Sequence, residues 1–511
     1  MFVLASSGQV WSSHPCGEWD EIHLRGIAPG RLAFERDSRY NLIEARTFCQ
    51  KSMLTKLHIR NFKSWRDSGS IRLAPITVFF GANSAGKTSL LQFLLMLKQT
   101  SESTDRSRVV HFGDDYSPVE LGTFEDLIFE HDVKNKLEFE LSWTLPKPLE
   151  FINRLKRQSY QATALTFSAK IASEGDKQYI ERLEYEFSQE GRGPVSVRLE
   201  SGVDGKSREF KIAATGYDLT RTQGRAWPLP APVRFYGFPD EVSAYYQNAG
   251  FTSDLALALE RQLKRILYLG PLRDVPQRSY TWAGDVPEHV GRDGDGAVAA
   301  LLAAADRKIS GGYKQKARPF QEVIAEWLKQ LGLLDSFVAR KIAQNRKDYE
   351  VRVRTRRSTK DVDLTDVGFG ISQVLPVVVE SFYVAPHSTV IIEQPELHLH
   401  PRVQAELADL FIAAIQAREN QEDRSVQFIV ESHSEHFLQR LQRRIAEAKL
   451  RPDDVAIYFC EPGPQGSQLH ELRFSRYGDI ENWPLDFFGD PTTDLSARLN
   501  AAADREAEMG N

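Results

Sequence analysis

From Met53 onward the chain carries clear hydrophobic periods. In MLTKLHIRNFKSW the apolar positions Leu54, Leu57, Ile59 and Phe62 recur as in a half-buried strand. IRLAPITVFF closes in the unbroken apolar run that a central strand, buried on both faces, requires. Two further apolar strands, STVIIE and VQFIVE, frame a helical pattern containing AELADLFIAAIQARE, which is the signature of an α/β sheet. Between 146 and 265, ALTFSAKIAS, YIERLEYEFS, VSVRLES and EFKIAATG alternate between Gly, Ser and Asp breaks and predict antiparallel strands, an insertion or arm. Apolar residues three and four apart predict helices in LALALERQLKRILY, AVAALLAAADRK and FQEVIAEWLKQLGLL, and VARKIAQNRKDYEVRVRTRRSTKDVDL predicts a hairpin. Residues 1–52 sustain neither period.

Composition narrows the class. At about 150 residues per domain, a chain of 511 residues should form three domains or lobes. Its 65 Lys and Arg against 70 Asp and Glu give a net charge of −5, so no polybasic binder is indicated overall. Three cysteines, Cys16, Cys49 and Cys460, are too few and scattered for a disulfide scaffold or thiolate zinc site, and point to the cytoplasm. The most apolar stretch, Ile371 to Ala385, is interrupted by Ser372, Gln373, Pro376 and Glu380, so no membrane span is expected. The N-terminus lacks a cationic region and reads as a poor signal peptide.

The chemistry concentrates in three places. GANSAGKTS, Gly81 to Ser89, follows an apolar strand and opens a helical pattern, the context required of G-x-x-x-x-G-K-S/T. Gly81 and Gly86 let backbone amides wrap a phosphate, with Ala82, Asn83, Ser84, Ala85 and Ser89 completing the loop; Lys87 supplies a cation for the β- and γ-phosphates, and Thr88 a hydroxyl for Mg²⁺. ATP or GTP binding follows. STVIIEQPELHLHP ends a strand in Glu393, the expected metal-side acid, followed by Gln394 and Glu396. VQFIVESHSEHF ends in Glu431-Ser432-His433, where His433 could meet a terminal phosphate or its attacking water.

In these segments the chain resembles the ABC-type ATPase heads of the RecF, SMC and OLD group, in the branch found in bacterial defence and repair operons. The resemblance rests on LTKLHIRNFKSW, GANSAGKTS, YLGPLRDVPQRSY, GFGISQVLPVV, VIIEQPELHLHP and IVESHSEHF, in family order from 53 to about 440. It implies an α/β, two-lobed head with a mixed sheet, flanking helices and a β-rich inserted arm, using ATP and Mg²⁺. The organisation expected is an extension at 1–52, lobe I at 53–145, the arm at 146–265, lobe II at 266–445, and a C-terminal module at 446–511 that looks like a short domain of unknown function. Carried over by position, GFGISQ becomes the signature, with Ser372 and Gly370 meeting ATP held by a second subunit. Glu393 and Thr88 hold Mg²⁺, Glu396 to His400 form the dimer-contacting loop, His433 is the switch histidine, and Asn61 to Trp65 lie near the adenine. The catalytic set is Lys87, Glu393, Gln394 and His433. Gln99 is a weak candidate for the Q-loop.

One departure stands out. The family's second Walker B acid is replaced by Gln394, which can orient water but cannot accept its proton as a carboxylate does. Slow hydrolysis is therefore expected. Several readings stay open: Arg273 as an ion-pair residue or a nucleotide-proximal arginine; His398 and His400, or Glu431 with His433, Glu435 and His436, as a transition-metal site, disfavoured for want of a tetrahedral set; and the run from Trp483 to Phe488 as a partner-docking segment or a clamp. Residues 340–360 hold nine Lys/Arg and two Asp/Glu, a solvated hairpin face or a nucleic-acid contact.

The leading expectation is a nucleotide-gated dimeric sensor or scaffold in DNA-related bacterial defence, a homodimer or higher oligomer that contacts DNA or a partner and works with a separately encoded nuclease or toxin. The alternatives are a DNA-repair or chromosome-maintenance ATPase and a non-hydrolysing clamp. Too few residues follow His433 for a TOPRIM nuclease, and no heptad array indicates a long coiled coil. If Met53 is the functional start, mass spectrometry of natively expressed protein should recover no peptide from residues 1–52.

Overall fold

The computed structural model describes residues 3–4, 10–11, 53–175, 177–189, 193–204, 207–224, 228–355, 358–483, 496–502 and 505. The chain divides into two units, Met1–Gln50 and Lys51–Asn511. In the first, Val3–Leu4 pairs antiparallel with Val10–Trp11. The remainder of the 1–52 extension lies outside the described residues, as do Cys16, Cys49 and the run from Pro484 to Phe488.

The second unit begins with β1 (Leu54–Phe62), β2 (Trp65–Asp67), β3 (Ile71–Arg72), β4 (Ile76–Gly81) and α1 (Lys87–Glu102). Five strands follow: β5 (Leu137–Asn153), β6 (Gln158–Glu174), β7 (Lys177–Phe187), β8 (Val195–Asp204) and β9 (Ser207–Thr215). Then come α2 (Phe251–Lys264), β10 (Ile266–Leu269), α3 (Ala297–Ala303), α4 (Phe320–Gln330), and the hairpin of β11 (Ser336–Lys341) and β12 (Asp348–Arg354). The last stretch holds α5 (Phe369–Tyr383), β13 (Thr389–Glu393), α6 (Pro401–Gln416), β14 (Gln427–Glu431), α7 (Glu435–Ala446), β15 (Val455–Gly463) and β16 (Gly466–Leu472).

Two large sheets organise these elements. The central sheet has the order β10-β13-β14-β4-β15-β16, parallel except for the β15–β16 hairpin. The other is antiparallel, β9-β8-β7-β6-β5-β1-β2, with β3 also paired to β1. Successive side chains of a strand point to opposite faces, and the central sheet uses both. Phe79, Ile391 and Ile429 enter a core shared with the antiparallel sheet, α1 and α2. Ile76, Val78, Phe80, Ile392, Phe428 and Val430 enter a second core built with α3 to α7. The fold is thus α/β with a mixed central sheet flanked by helices. Among the described residues no helix is long and apolar enough to cross a membrane.

Several expected boundaries fall elsewhere. The lobe I/arm limit at 145/146 lies inside β5, which joins β1 on one side and β6 on the other, so the β-rich segment extends the first lobe's own sheet. LALALERQLKRILY does not stay helical to Tyr268: α2 ends at Lys264 because Ile266–Leu269, buried throughout, pairs in parallel with β13. The segment from 446 contributes β15 and β16 to the central sheet, with β15 directly against β4. Cys460, on β15, is buried and unpaired by disulfide. The 338–364 segment does form a hairpin, with Val362–Asp363 added to β12.

One polar side chain ties the two sheets together. Gln427, fully buried at the start of β14, accepts from the Leu54 N–H (3.1 Å) and the Thr389 hydroxyl (3.0 Å) and donates to the carbonyls of Leu54 (2.8 Å) and Ala74 (3.0 Å). All four hydrogen-bonding positions of the amide are used. A leucine of similar volume would strand these groups away from water, at about 1–3 kcal/mol for each that finds no substitute. Gln427→Leu should lower stability by about 3 kcal/mol, read as a shift of the urea midpoint.

Candidate nucleotide-binding site

β4 ends where the phosphate loop begins, and α1 starts at Lys87. Ala82, Asn83 and Ser84 are exposed, whereas Ala85 is buried and donates its N–H to the Ala82 carbonyl at 3.3 Å. Gly81 and Gly86 have φ of 141° and 93°, where a side chain is strained. Their neighbours give a second reason. A Cβ on Gly81 would lie 2.1 Å from the Cys460 carbonyl oxygen, and one on Gly86 would lie 2.7 Å from the hydroxyls of Ser64 and Ser467. Close packing of the loop on β15 and on the β1–β2 turn therefore demands both glycines.

Trp65 is the prop beneath the loop. Fully buried, it donates its indole N–H to the Gly86 carbonyl and to the Ser89 hydroxyl, both at 3.0 Å. Ser89 in turn donates to Gly86 O at 2.7 Å. Trp65 thus supports the loop from below, and the Ser89 hydroxyl is committed within the protein. Asn61 donates to the Lys136 carbonyl (2.8 Å) and Lys63 to Gln92 (2.6 Å).

The charged groups converge at the carboxyl ends of β4, β14 and β13. Lys87, 3 % exposed, donates to the carbonyls of Gly81 (2.9 Å) and Ala82 (2.7 Å), with its Nζ 3.9 Å from Glu431 Oε1. Thr88 donates its hydroxyl to Glu431 Oε2 at 2.8 Å. Glu431 sits in register with Phe79 on one side and Glu393 on the other. Glu393 Oε1 accepts from the Tyr268 hydroxyl at 2.9 Å, and the Gln394 N–H donates to Glu431 O at 2.8 Å. Burial pushes the Glu393 carboxyl up to about 7, with the Glu431 charge adding and Tyr268, Arg292 and Arg273 opposing. Burial also raises Glu431, against the pull of Thr88 and Lys87, and lowers Lys87. Glu431 is the site residue that the sequence reading left out of the loop's chemistry. Its position at the end of an apolar strand, like that of Glu393, was the available signal.

The remaining candidates are distributed around this centre. The backbone N–H of His433 donates to Glu396 Oε1 at 2.6 Å, while its imidazole reaches solvent on one side, and the desolvation of its other side together with the Lys87 charge holds it below its ordinary pKa. Gly370, on the first turn of α5, approaches the 398–399 backbone: a Cβ there would lie 3.6 Å from His398 O. Ser372 is 7 % exposed and lines a cavity of about 30 Å³ with Asp274, Val275 and Tyr280. Arg273, 5 % exposed, donates to the Glu393 carbonyl at 3.0 Å, and burial pushes it down to about 10; it braces the Walker B strand. Both amide ends of Gln99 are engaged, with His111 O (2.7 Å) and Val119 N–H (3.4 Å), so it links two loop segments. His400 accepts from Arg402 N at 3.3 Å as the cap of α6, and among the described residues no cluster of three or more His, Cys, Asp or Glu could hold a metal. In the basic hairpin, Arg340 pairs with Glu350, Arg352 with Asp363, and Arg354 with Asp361. These acids neutralise part of the charge on which a nucleic-acid contact would depend.

The groups fit a magnesium nucleotide: an exposed loop closed by two required glycines, a buried ammonium, and a threonine hydroxyl facing a carboxylate. The order β13-β14-β4, with a strand between the phosphate loop and the Walker B acid, defines a P-loop nucleoside triphosphatase. More than half of the chain, residues 53–193 and 301–438, matches the AAA ATPase domain family, and the chain belongs to that family. Residues 450–497 match a family described as a protein of unknown function (DUF3696). Similar solved structures include the SMC head domain from Thermotoga maritima (11% identity, TM-score 0.35, 82% of this chain and 99% of that one). Another is an Smc head bound to the C-winged helix domain of ScpA (12%, TM-score 0.36, covering 82% and 98%). A third is an Smc head with an extended coiled coil bound to the C-terminal domain of ScpA, derived from Pyrococcus furiosus (10%, TM-score 0.39, covering 83% and 96%). No curated protein matches the chain significantly.

The buried carboxyl of Glu393 makes stability depend on pH. Unfolded, it titrates near 4.5; folded, near 7, so between these values the folded chain binds more protons and loses stability as pH rises. Glu393→Gln removes that loss. Without nucleotide, the variant should gain about 2 kcal/mol relative to wild type between pH 5 and pH 8, measured from urea midpoints.

Proposed function

We propose that the protein binds ATP with Mg²⁺, hydrolyses it slowly, and uses the bound state to hold two heads together as a sensor or scaffold in DNA-related bacterial defence. The observation that carries this reading is the meeting of Lys87, Thr88, Glu431 and Glu393 at the carboxyl edge of three parallel strands, followed by Gln394 where a general base would stand.

In this mechanism the amides from Ala82 to Ser84 cradle the β-phosphate, and Lys87 exchanges its loop carbonyls for phosphate oxygens. Thr88 and Glu393 would hold Mg²⁺, which would supply positive charge against the phosphates. Gln394, half-buried with φ of 44°, orients the attacking water, and His433 contacts the terminal phosphate. With no carboxylate at position 394 to take the proton from that water, hydrolysis is slow and the ATP state long-lived. Gly370, beside the 396–400 loop, serves ATP on the second head together with Ser372 two residues on, which makes the homodimer the working unit. The same reading takes the protein as cytoplasmic, with DNA and a separately encoded nuclease or toxin as partners.

Gln394→Glu should raise kcat by about ten-fold or more, Lys87→Ala should abolish ATP binding, and ATP should double the mass in size-exclusion chromatography. Rapid wild-type turnover that Gln394→Glu does not improve would sink the slow switch. A mass unchanged by ATP would remove the dimer.

A further inference from the structure

Glu431 offers more than a hydrogen bond to the phosphate loop. The geometry points to Glu431 as a direct protein ligand of the nucleotide's Mg²⁺, adjacent to Thr88 in the coordination shell, with Glu393 relegated to an outer position. This inference rests on the nucleotide reading above and assigns the metal's inner ligand within it.

Three observations carry it. Thr88 Oγ1 and Glu431 Oε2 are 2.8 Å apart. Mg²⁺ takes octahedral oxygen ligands at about 2.0–2.1 Å, which places neighbouring ligands about 2.9 Å apart. The two oxygens therefore already span one edge of such an octahedron, and the hydroxyl need only turn its proton aside.

The two carboxylates are also presented differently. Glu393 has Oε1 bound by Tyr268 at 2.9 Å, and its strand end is braced by Arg273 through the main-chain carbonyl. Glu431 accepts from Thr88 at 2.8 Å, and among the described residues no other side chain donates to its carboxylate within hydrogen-bond distance, Lys87 standing 3.9 Å from its other oxygen. It also stands on the strand next to the phosphate loop, whereas Glu393 is one strand farther out.

Charge balance gives the third argument. Glu393 and Glu431 are both buried and lie in register across adjacent parallel strands, so two carboxylates are brought side by side away from solvent. Lys87 offsets Glu431 in this arrangement, but a bound triphosphate draws that ammonium to itself. A divalent cation against Glu431 restores the balance. One or two carboxylates with phosphate oxygens and water is the usual shell for this ion.

The test separates metal from nucleotide. Binding of a fluorescent ATP analogue is measured in EDTA, and Mn²⁺ affinity in the presence of ATPγS is measured by electron paramagnetic resonance, for wild type, Glu431→Gln, Glu431→Asp and Glu393→Gln. Glu431→Gln should lower Mn²⁺ affinity by about a hundred-fold and Glu393→Gln by about ten-fold, while nucleotide affinity in EDTA should rise in both, because each removes a negative charge beside the phosphates. Should Glu431→Gln fail to fold, Glu431→Asp, which keeps the charge but withdraws it by one methylene, should still weaken Mn²⁺ by about ten-fold. Wild-type Mn²⁺ affinity in the Glu431 variants, or a larger loss in Glu393→Gln, overturns the assignment. A wild-type chain that binds no nucleotide in EDTA or with metal overturns the nucleotide reading itself.

Discussion

Five consecutive buried residues, Gln427 to Glu431, set the geometry of the whole head. Their strand is inserted between the phosphate-loop strand and the Walker B strand, and its two ends do different work. At the amino end, Gln427 binds the first residue of the antiparallel sheet to the central one. At the carboxyl end, Glu431 touches Thr88 and shares a register position with Glu393. The three apolar residues between, Phe428, Ile429 and Val430, alternate between the two cores, so a one-residue slip would exchange their faces and move both polar ends out of place. The joint between the sheets and the chemistry at the crevice therefore share one register.

Much of this was legible because the signals were strong and local. ITVFF, STVIIE and VQFIVE carry continuous apolar runs, and GANSAGKTS lies in a loop between one of them and a helical pattern, so strand ends and phosphate loop could be placed in sequence. What could not be read depends on long-range pairing. ILYL continues the helical spacing before it and becomes a strand only because β13 offers an edge. Trp65 resembles any strand aromatic until its indole N–H is found beneath Gly86. β5 crosses the expected arm boundary without a break because a hydrophobic period does not announce which sheet a strand will join.

The basic hairpin shows the same limit for charge. Nine cations within 340–360 stand out in the sequence, yet Asp361 and Asp363, just beyond that window, neutralise two arginines inside it. Glu350, within the window, takes a third. Counting charge along the chain therefore overstates the field at its surface. The phosphate loop presents the opposite case. Its single lysine is buried, and burial makes its unscreened charge count for more.

The contact between Gly81 and the Cys460 carbonyl has a consequence for how the protein is made. The strand carrying the phosphate loop needs a neighbour contributed almost 380 residues later, at Val455–Gly463. A nascent chain on the ribosome thus exposes the loop strand as an open edge until Val455–Gly463 has emerged. The nucleotide crevice is completed only after that strand is made, so the loop waits for its ligand until the chain has been extended through residue 463.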